Sequence, residues 1–249
     1  MKTRLSFAIL TGAALFFASC SDKENPVDSI LPATDDIKST EIAITLPGDT
    51  IAFSEVLTED EVAGLFEMRE EEKLAHDVYI YFYETYEYLV FNNISKSEDA
   101  HSSAVLYLLN GFGLADPAVE GVGEFNADLF KTLYADLTAQ GSTSLADALK
   151  VGAFIEEYDI ADLQLHLEET TNTAILRVYN NLLRGSQTHL KAYTAALNRL
   201  GETYTPTVLS QDEYDSIVNS TNDESDDDLL NEGTFVPGTG ICDGTGPGF

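Results

Sequence analysis

The sequence predicts an all-α protein whose main body is a four-helix bundle with one long crossover between its second and third helices. Three observations predict it. Four long stretches carry apolar residues at the period of an amphipathic helix. Capping residues and glycines bound those stretches where helices start and stop. The connection between the second and third stretches is far longer than the others, whereas an up-down bundle uses short loops throughout and a cytokine-type bundle needs two crossovers.

The first helix opens at Thr58-Glu59-Asp60-Glu61, a capping box, and is expected to run to about Tyr86 with Leu65, Met68, Ala75, Tyr79 and Phe82 along one face. The second is expected from Ser95 or Ser97 to Leu109, stopped by Gly111 and Gly113. The crossover contains Pro117, several glycines and a shorter helix from about Asn126 to Ala139. The third long helix is expected from Ser144 to Leu167, and the fourth from Asn172 to Leu200, ended by Gly201. These elements fill a single domain at 56–201.

The flanks read differently. Lys2 and Arg4 precede the apolar run Phe7–Phe17, which is too short to span a bilayer, a task needing ~20 residues. Residues 1–19 are therefore expected to be a signal peptide. Phe17-Ala18-Ser19-Cys20 resembles the bacterial lipobox, with Phe17 where Leu is usual, so Cys20 is the expected lipidation site. The acidic stretch Ser21-Asp22-Lys23-Glu24 resembles a surface-export signal of bacterial lipoproteins. Together they imply a chain lipid-anchored to the outer membrane of the cell envelope and facing the cell surface. Residues 20–55, rich in Pro, Asp, Ser and Thr, read as a tether with a short extended piece at Glu41–Leu46. Residues 202–249 read as an acidic, Gly-rich loose tail in which Tyr214, Leu229 and Phe235 can pack locally.

Composition excludes some partners. The net charge is −30, so the chain repels nucleic acid and attracts cations. Hydrophobic content of 44% still suffices for a sizeable core. Two cysteines, Cys20 and Cys242, build neither a disulfide framework nor a thiolate metal site. Phosphate loops, nucleophile elbows and Ser/His/Asp orders are missing from the sequence, which leaves kinase and hydrolase readings without support.

The inward stripes carry polar residues where a core is expected. Glu72 falls on the first stripe. Glu98 and His101 share a face of the second helix at i, i+3. Glu156 and Asp159 lie on the third, Ser186 and His189 on the fourth. Each has a plainer reading. Glu98, three residues after Ser95, fits a capping box, and Glu72 sits in the acidic run Glu70-Glu71-Glu72, which reads equally as a solvated face. Glu156 and Glu157 are adjacent, so one must point away, and a lone His189 fits a hydrogen-bonded core histidine. Taken jointly, however, these residues meet inside four helices. A carboxylate buried alone costs several kcal/mol, and cations offset that cost. Oxygen ligands with imidazole suit iron or manganese. His76 and His166 are off the stripe or near a helix end and are expected at the surface.

Four stretches then carry a resemblance. Glu70–Tyr79 (EEEKLAHDVY), Ile94–His101 (ISKSEDAH), Gly152–Leu163 (GAFIEEYDIADL) and Asn181–Tyr193 (NLLRGSQTHLKAY) resemble an uncharacterised bacterial and archaeal family of the ferritin-like superfamily. The resemblance covers residues 60–200. It implies one Glu on each of two helices and Glu-x-x-His on each of the other two, holding two iron ions, two manganese ions or a mixed pair. Glu72, Glu98, His101, Glu156 and His189 match that pattern. Ser186 departs from it, standing where the last Glu-x-x-His carries its Glu. Asp159 or Glu157 is the expected replacement; failing both, a mononuclear site follows. The superfamily implies oxygen- or peroxide-dependent redox activity of ferroxidase or peroxidase type. The alternative is a non-enzymatic cell-surface protein that binds metal or a partner, and a third reading is a bundle whose polar residues bind nothing.

Overall fold

The computed structural model describes residues 43–45, 50–53 and 56–220. The expected leader 1–19, Cys20, most of the tether, and the tail from 221 with Leu229, Phe235 and Cys242 lie outside the described residues. Six helices follow one another: α1 (Glu59–Tyr86), α2 (Leu89–Gly111), α3 (Asp128–Gly141), α4 (Leu145–Glu169), α5 (Thr173–Arg199) and α6 (Gln211–Asn219). Ahead of them, β1 (Ala43–Thr45) pairs antiparallel with β2 (Thr50–Ala52), Ile44 opposite Ile51.

Local chemistry sets the boundaries. The Glu61 N–H donates to Thr58 Oγ1 at 3.2 Å and the Thr58 N–H to Glu61 Oε2 at 2.8 Å, so the capping box is formed. Glu59, Asp60 and Glu61 in the first turn also complement the helix dipole. Glu87, at φ 50°, closes α1 in the left-handed region. The Asn172 side chain caps α5 by accepting from the Ala174 and Ile175 N–H groups.

Two boundaries differ from expectation. Helix α2 begins at Leu89, six residues before Ser95. Its N-cap, Tyr88, makes no side-chain capping bond, so the usual start signal is missing. Ser95 instead sits inside the helix and donates back to the Asn92 carbonyl. This rules out Glu98 as a capping-box residue. Helix α3 runs Asp128–Gly141 rather than Asn126–Ala139, a shift of two residues.

Residues 202–219, expected as loose tail, are packed. Leu209, Tyr214 and Ile217 are buried, and α6 lies against α5. Glu157 holds the segment. Its carboxylate accepts from the Thr207 and Leu209 N–H groups at 2.7 Å each, and from the Val208 N–H and the Tyr204 hydroxyl. A carboxylate that takes three consecutive backbone N–H groups is an effective anchor for irregular chain.

Helix α1 packs on α2 and on α4; α5 packs on α4 and on α2. Two apolar clusters fill the space between them. One contains Leu74, Tyr79, Phe82, Phe91, Ile155 and Tyr193; the other contains Leu65, Met68, Val105, Leu108, Leu163 and Leu182. Each long helix passes from one cluster into the other. On α1 and α5 the Leu108-containing cluster comes first; on α2 and α4 it comes last. Helices α2 and α4 therefore run in the same sense, which is why residues 112–144 must travel the length of the molecule between them. The crossover is pinned on the way by ion pairing of Arg69 with Asp116 at 3.0 Å, by Lys73 Nζ donating to the Gly121 carbonyl, and by the Gly123 N–H donating to Asp77. Gly123 has φ 76°, and a Cβ there would lie 2.6 Å from the Tyr134 ring, so both its backbone and its lack of side chain are used.

Among the described residues no helix is long and apolar enough to cross a membrane.

Candidate metal centre

A layer of polar side chains separates the two apolar clusters at the level where each long helix passes between them. On α1 it is Glu72, between Met68 and Ala75. On α2 it is Glu98 and His101, between Ile94 and Ala104. On α4 it is Glu156 and Asp159, before Leu163; on α5 it is His189, between Leu182 and Leu190. All six residues are buried.

The geometry is a chain of alternating acids and imidazoles. Glu98 stands at its middle: Oε2 is 2.8 Å from His101 Nδ1, and Oε1 is 2.7 Å from His189 Nδ1. Glu72 Oε2 lies 3.3 Å from His101 Nδ1 on one side, and Glu156 Oε2 lies 3.3 Å from His189 Nδ1 on the other. The two imidazole rings stack with centroids 5.4 Å apart. One ligand atom from each of Glu98, His101 and His189 lies within 4.8 Å of the others. Glu98, His101 and His189 thus form a group that could hold a metal ion, with Glu72 beside His101 and Glu156 beside His189.

Residues 61–221 match the family described as Uncharacterized protein domain (DUF2202). The chain belongs to the DUF2202 family. It is 45% identical over 165 residues to Uncharacterized protein MJ0754 of Methanocaldococcus jannaschii, covering 66% of this chain and 89% of that one. It also resembles the crystal structure of hypothetical protein MJ0754 from the same archaeon, with a TM-score of 0.67 and 42% identity, over 72% of this chain and 99% of that one. The family span includes residues 202–219, which the DUF2202 domain here folds onto Glu157.

The centre of this DUF2202 chain is short of hydrogen bonds. Both oxygens of Glu72, Glu98 Oε1, Glu156 Oε2, Asp159 Oδ2 and His189 Nδ1 are buried without a hydrogen-bond partner. His189 Nδ1 and Glu98 Oε1 are close but not aligned as donor and acceptor. Buried polar atoms are normally satisfied, so each orphan requires an explanation, and a bound ion is a standard one. Donors converging at coordination spacing fit that explanation.

Electrostatics point the same way. Burial raises the Glu72 carboxyl to about 8, against the opposing pull of His101. Burial and the Glu98 charge raise Glu156 to about 7. Burial, together with Glu156 and Glu72, drives Asp159 well above the carboxylate range. Burial would also raise Glu98, but His189 and His101 on either side outweigh it and hold this group below the usual range. Burial would lower both histidines, yet Glu98 and Glu156 lift His189 to about 10, and Glu72 and Glu98 lift His101 well above its usual value. Near neutral pH these shifts leave protons on Glu72 and the histidines, which offset the buried charge, and a cation bound here would displace them.

Neighbouring residues orient the ligands. The Tyr79 hydroxyl donates to Glu156 Oε1 at 2.6 Å, and Ser97 Oγ lies 2.9 Å from His189 Nε2, which aims Nδ1 at Glu98. Gly185 on α5 makes room for His101: a Cβ there would lie 2.4 Å from the ring. Neither Ser97 nor Gly185 was visible as functional in the sequence, since a lone serine or glycine in a helix gives no signal without its neighbour. Ser186 donates to its own helix, to the Leu182 carbonyl, and offers nothing to the centre. Glu157 is turned the other way, into the 204–209 segment, so of the two expected replacements only Asp159 lies beside the centre.

His166 is a second departure. It was expected at the surface but is buried, with Nε2 3.0 Å from Asp162 Oδ2. His76 is partly exposed, its Nδ1 2.8 Å from Asp77 Oδ1.

Proposed function

We propose that this is a ferritin-like di-iron carboxylate protein that performs oxygen- or peroxide-dependent redox chemistry. The observation that carries the reading is the placement of Glu98 between two imidazole Nδ1 atoms, with Glu72 and Glu156 closing the outer ends. Helices running α1 and α5 one way, α2 and α4 the other, joined by one long crossover, support the ferritin-like arrangement. Glu98, His101, His189, Glu72 and Glu156 would hold the ions, and Asp159 would supply the carboxylate that Ser186 does not. Hard oxygen ligands with two imidazoles suit iron, and manganese next. Bound iron would supply electrons for reduction of dioxygen or peroxide. The chain's own part is to hold Glu98 ionised between His101 and His189, to fix Glu156 through Tyr79 and His189 through Ser97, and to exclude bulk water with the two apolar clusters.

The deciding experiment is elemental analysis of the chain, purified without chelators and loaded anaerobically with ferrous iron, beside His101→Ala. Loss of iron in the variant, and consumption of dioxygen or peroxide by the wild type alone, support the reading; equal iron in both removes it. We propose further that Cys20 carries a lipid anchoring the domain to the outer membrane. A mass increase of the mature chain that Cys20→Ala abolishes is the expected result, and an unmodified Cys20 overturns it.

A further inference from the structure

Helix α5 differs in charge from the rest of the chain. Its 27 residues include Arg177, Arg184, Lys191 and Arg199 and not one Asp or Glu, within a chain of net charge −30. Arg177, Arg184 and Lys191 follow one another at two-turn spacing, so they line one stripe of the helix. Asn180, Asn181, Thr188 and Asn198, the exposed or half-exposed positions beside that stripe, are uncharged.

Cations on the other helices are matched: Arg69, Lys73, Lys131 and Lys150 each pair with a carboxylate. Among the described residues, Arg177, Arg184 and Arg199 form no ion pair. Arg177 Nη2 is buried without a hydrogen-bond partner, and Arg184 donates to the Asn181 side-chain oxygen. An acid-free basic face fits an anionic partner. The negative charge of the whole chain repels a separate polyanion, but a segment already attached is held at high effective concentration.

The chain carries such a segment. Beyond Arg199 it has no further Lys or Arg, and Asp223, Glu224, Asp226, Asp227 and Asp228 crowd into six residues. The approach to that run leads along α5. The Leu209 N–H donates to Glu157, and Gln164 donates to Glu213, so the chain advances two turns along α4 between these contacts. Gly152 of α4 faces the Tyr193 ring and His166 faces the Tyr179 ring, so α5 runs antiparallel to α4. The advance is therefore toward the half of α5 that carries Arg177 and Arg184. Helix α6 is tied to α5 by the hydroxyls of Tyr214 and Thr194, 3.1 Å apart. From Ser220, the stretch to Asp228 reaches up to ~26 Å at ~3.3 Å per residue. Arg177 to Lys191 spans ~21 Å at ~1.5 Å per residue.

We propose that the acidic run Asp223–Asp228 docks on the Arg177, Arg184 and Lys191 stripe of its own chain and clasps α6 onto α5. A single exposed ion pair is weak, but several carried on one short tethered segment act together, and salt screens them. The clasp is independent of the metal centre.

The test uses the full chain with Cys20→Ser and Cys242→Ser and a nitroxide spin label attached through Ser225→Cys. Backbone amide signals are followed by nuclear magnetic resonance. In dilute salt the label is expected to broaden amides between Arg177 and Lys191 several-fold more than those of α3. At ~1 M salt, where the screening length is ~3 Å, that excess should vanish. Arg177→Gln, Arg184→Gln and Lys191→Gln together should abolish it in dilute salt while the helical circular dichroism is kept, whereas Arg177→Lys with Arg184→Lys should retain it. Broadening that is absent, spread evenly over the helices or indifferent to salt overturns the clasp. So does broadening seen only between labelled and unlabelled chains in a mixture, which would give the stripe to a second copy. Capture of an added sulfated polysaccharide by the stripe, with no broadening from the label, would give it to a separate anion and overturns the clasp as well.

Discussion

The buried polar residues around Glu98 and around Asp162 are of the same types and differ in how charge is arranged. Around Glu98 four helices contribute, and every imidazole lies between two carboxylates. Around Asp162 only α1 and α4 contribute, and one imidazole faces acid from Asp162, Glu67 and Glu169. The first arrangement can neutralise itself with protons on its histidines and stay folded without metal. The second has one histidine and leaves Glu71 held in its neutral form by burial and by Asp162. Alternation of sign, rather than the number of charged groups, decides how well buried polar groups tolerate one another.

The largest expected effect comes from breaking the alternation at its middle. Glu98→Ala leaves His101 and His189 without their shared counter-charge, and is expected to destabilise the metal-free chain by about 3–5 kcal/mol. It should also abolish metal binding at that centre. Denaturant unfolding and elemental analysis read the two effects; a chain of wild-type stability would show that Glu98 does not hold the histidines.

A buried glutamate with every bond satisfied makes the control. Glu157→Ala removes the acceptor of three backbone N–H groups and is expected to cost about 2–3 kcal/mol by detaching residues 202–219. Metal content should not change. Loss of metal in this variant would mean that the segment, and not only the ligand set, holds the centre together.

A smaller effect follows from pH. Glu72 at about 8, Glu156 at about 7 and His189 at about 10 all bind protons more tightly folded than unfolded. The folded state therefore carries more protons, and stability falls as pH rises. For the carboxylates the loss begins above their unfolded value of about 4.5 and runs to about 8; for His189 it runs from about 6.5 to about 10. The metal-free chain should melt at a lower temperature at pH 9 than at pH 5.5, and the iron-loaded chain should show a weaker dependence. Scanning calorimetry at both values decides it; a flat profile without metal contradicts the proton-neutralised centre.

The smallest effect sharpens the contrast at Glu71. Glu71→Gln in the metal-free chain removes a group that burial disfavours as an anion, so the melting temperature should rise slightly at pH 8 and stay unchanged at pH 4.5. A fall at pH 8 would show that the carboxylate has a partner in solution.

The helical class and the spans of α1, α4 and α5 could be read from period and caps, because those helices begin at Thr58, Ser144 and Asn172, each of which does cap its helix. The start of α2 could not, since Tyr88 gives no capping bond and Ser95 imitates one. The residues around Glu98 were legible because each lies on an inward stripe of a long helix. His166 was not, because its burial comes from contact with Gly64 and Tyr179 on two other helices, and no single helix records that. Nor could the sequence tell Glu156 from Glu157. The choice depends on residues 204–209, which arrive from beyond the fourth long helix and claim Glu157.

That division between neighbours on α4 also has a kinetic side. Glu156 faces the centre and Glu157 the C-terminal segment, so one helical turn touches both. The amide hydrogens of Thr207, Val208 and Leu209 are sheltered only while Glu157 accepts them. Their exchange with solvent deuterium times the lifting of the segment, without any need for the rest of the chain to open. A slower exchange on addition of metal would show that the two faces of this turn open and close as one cooperative unit.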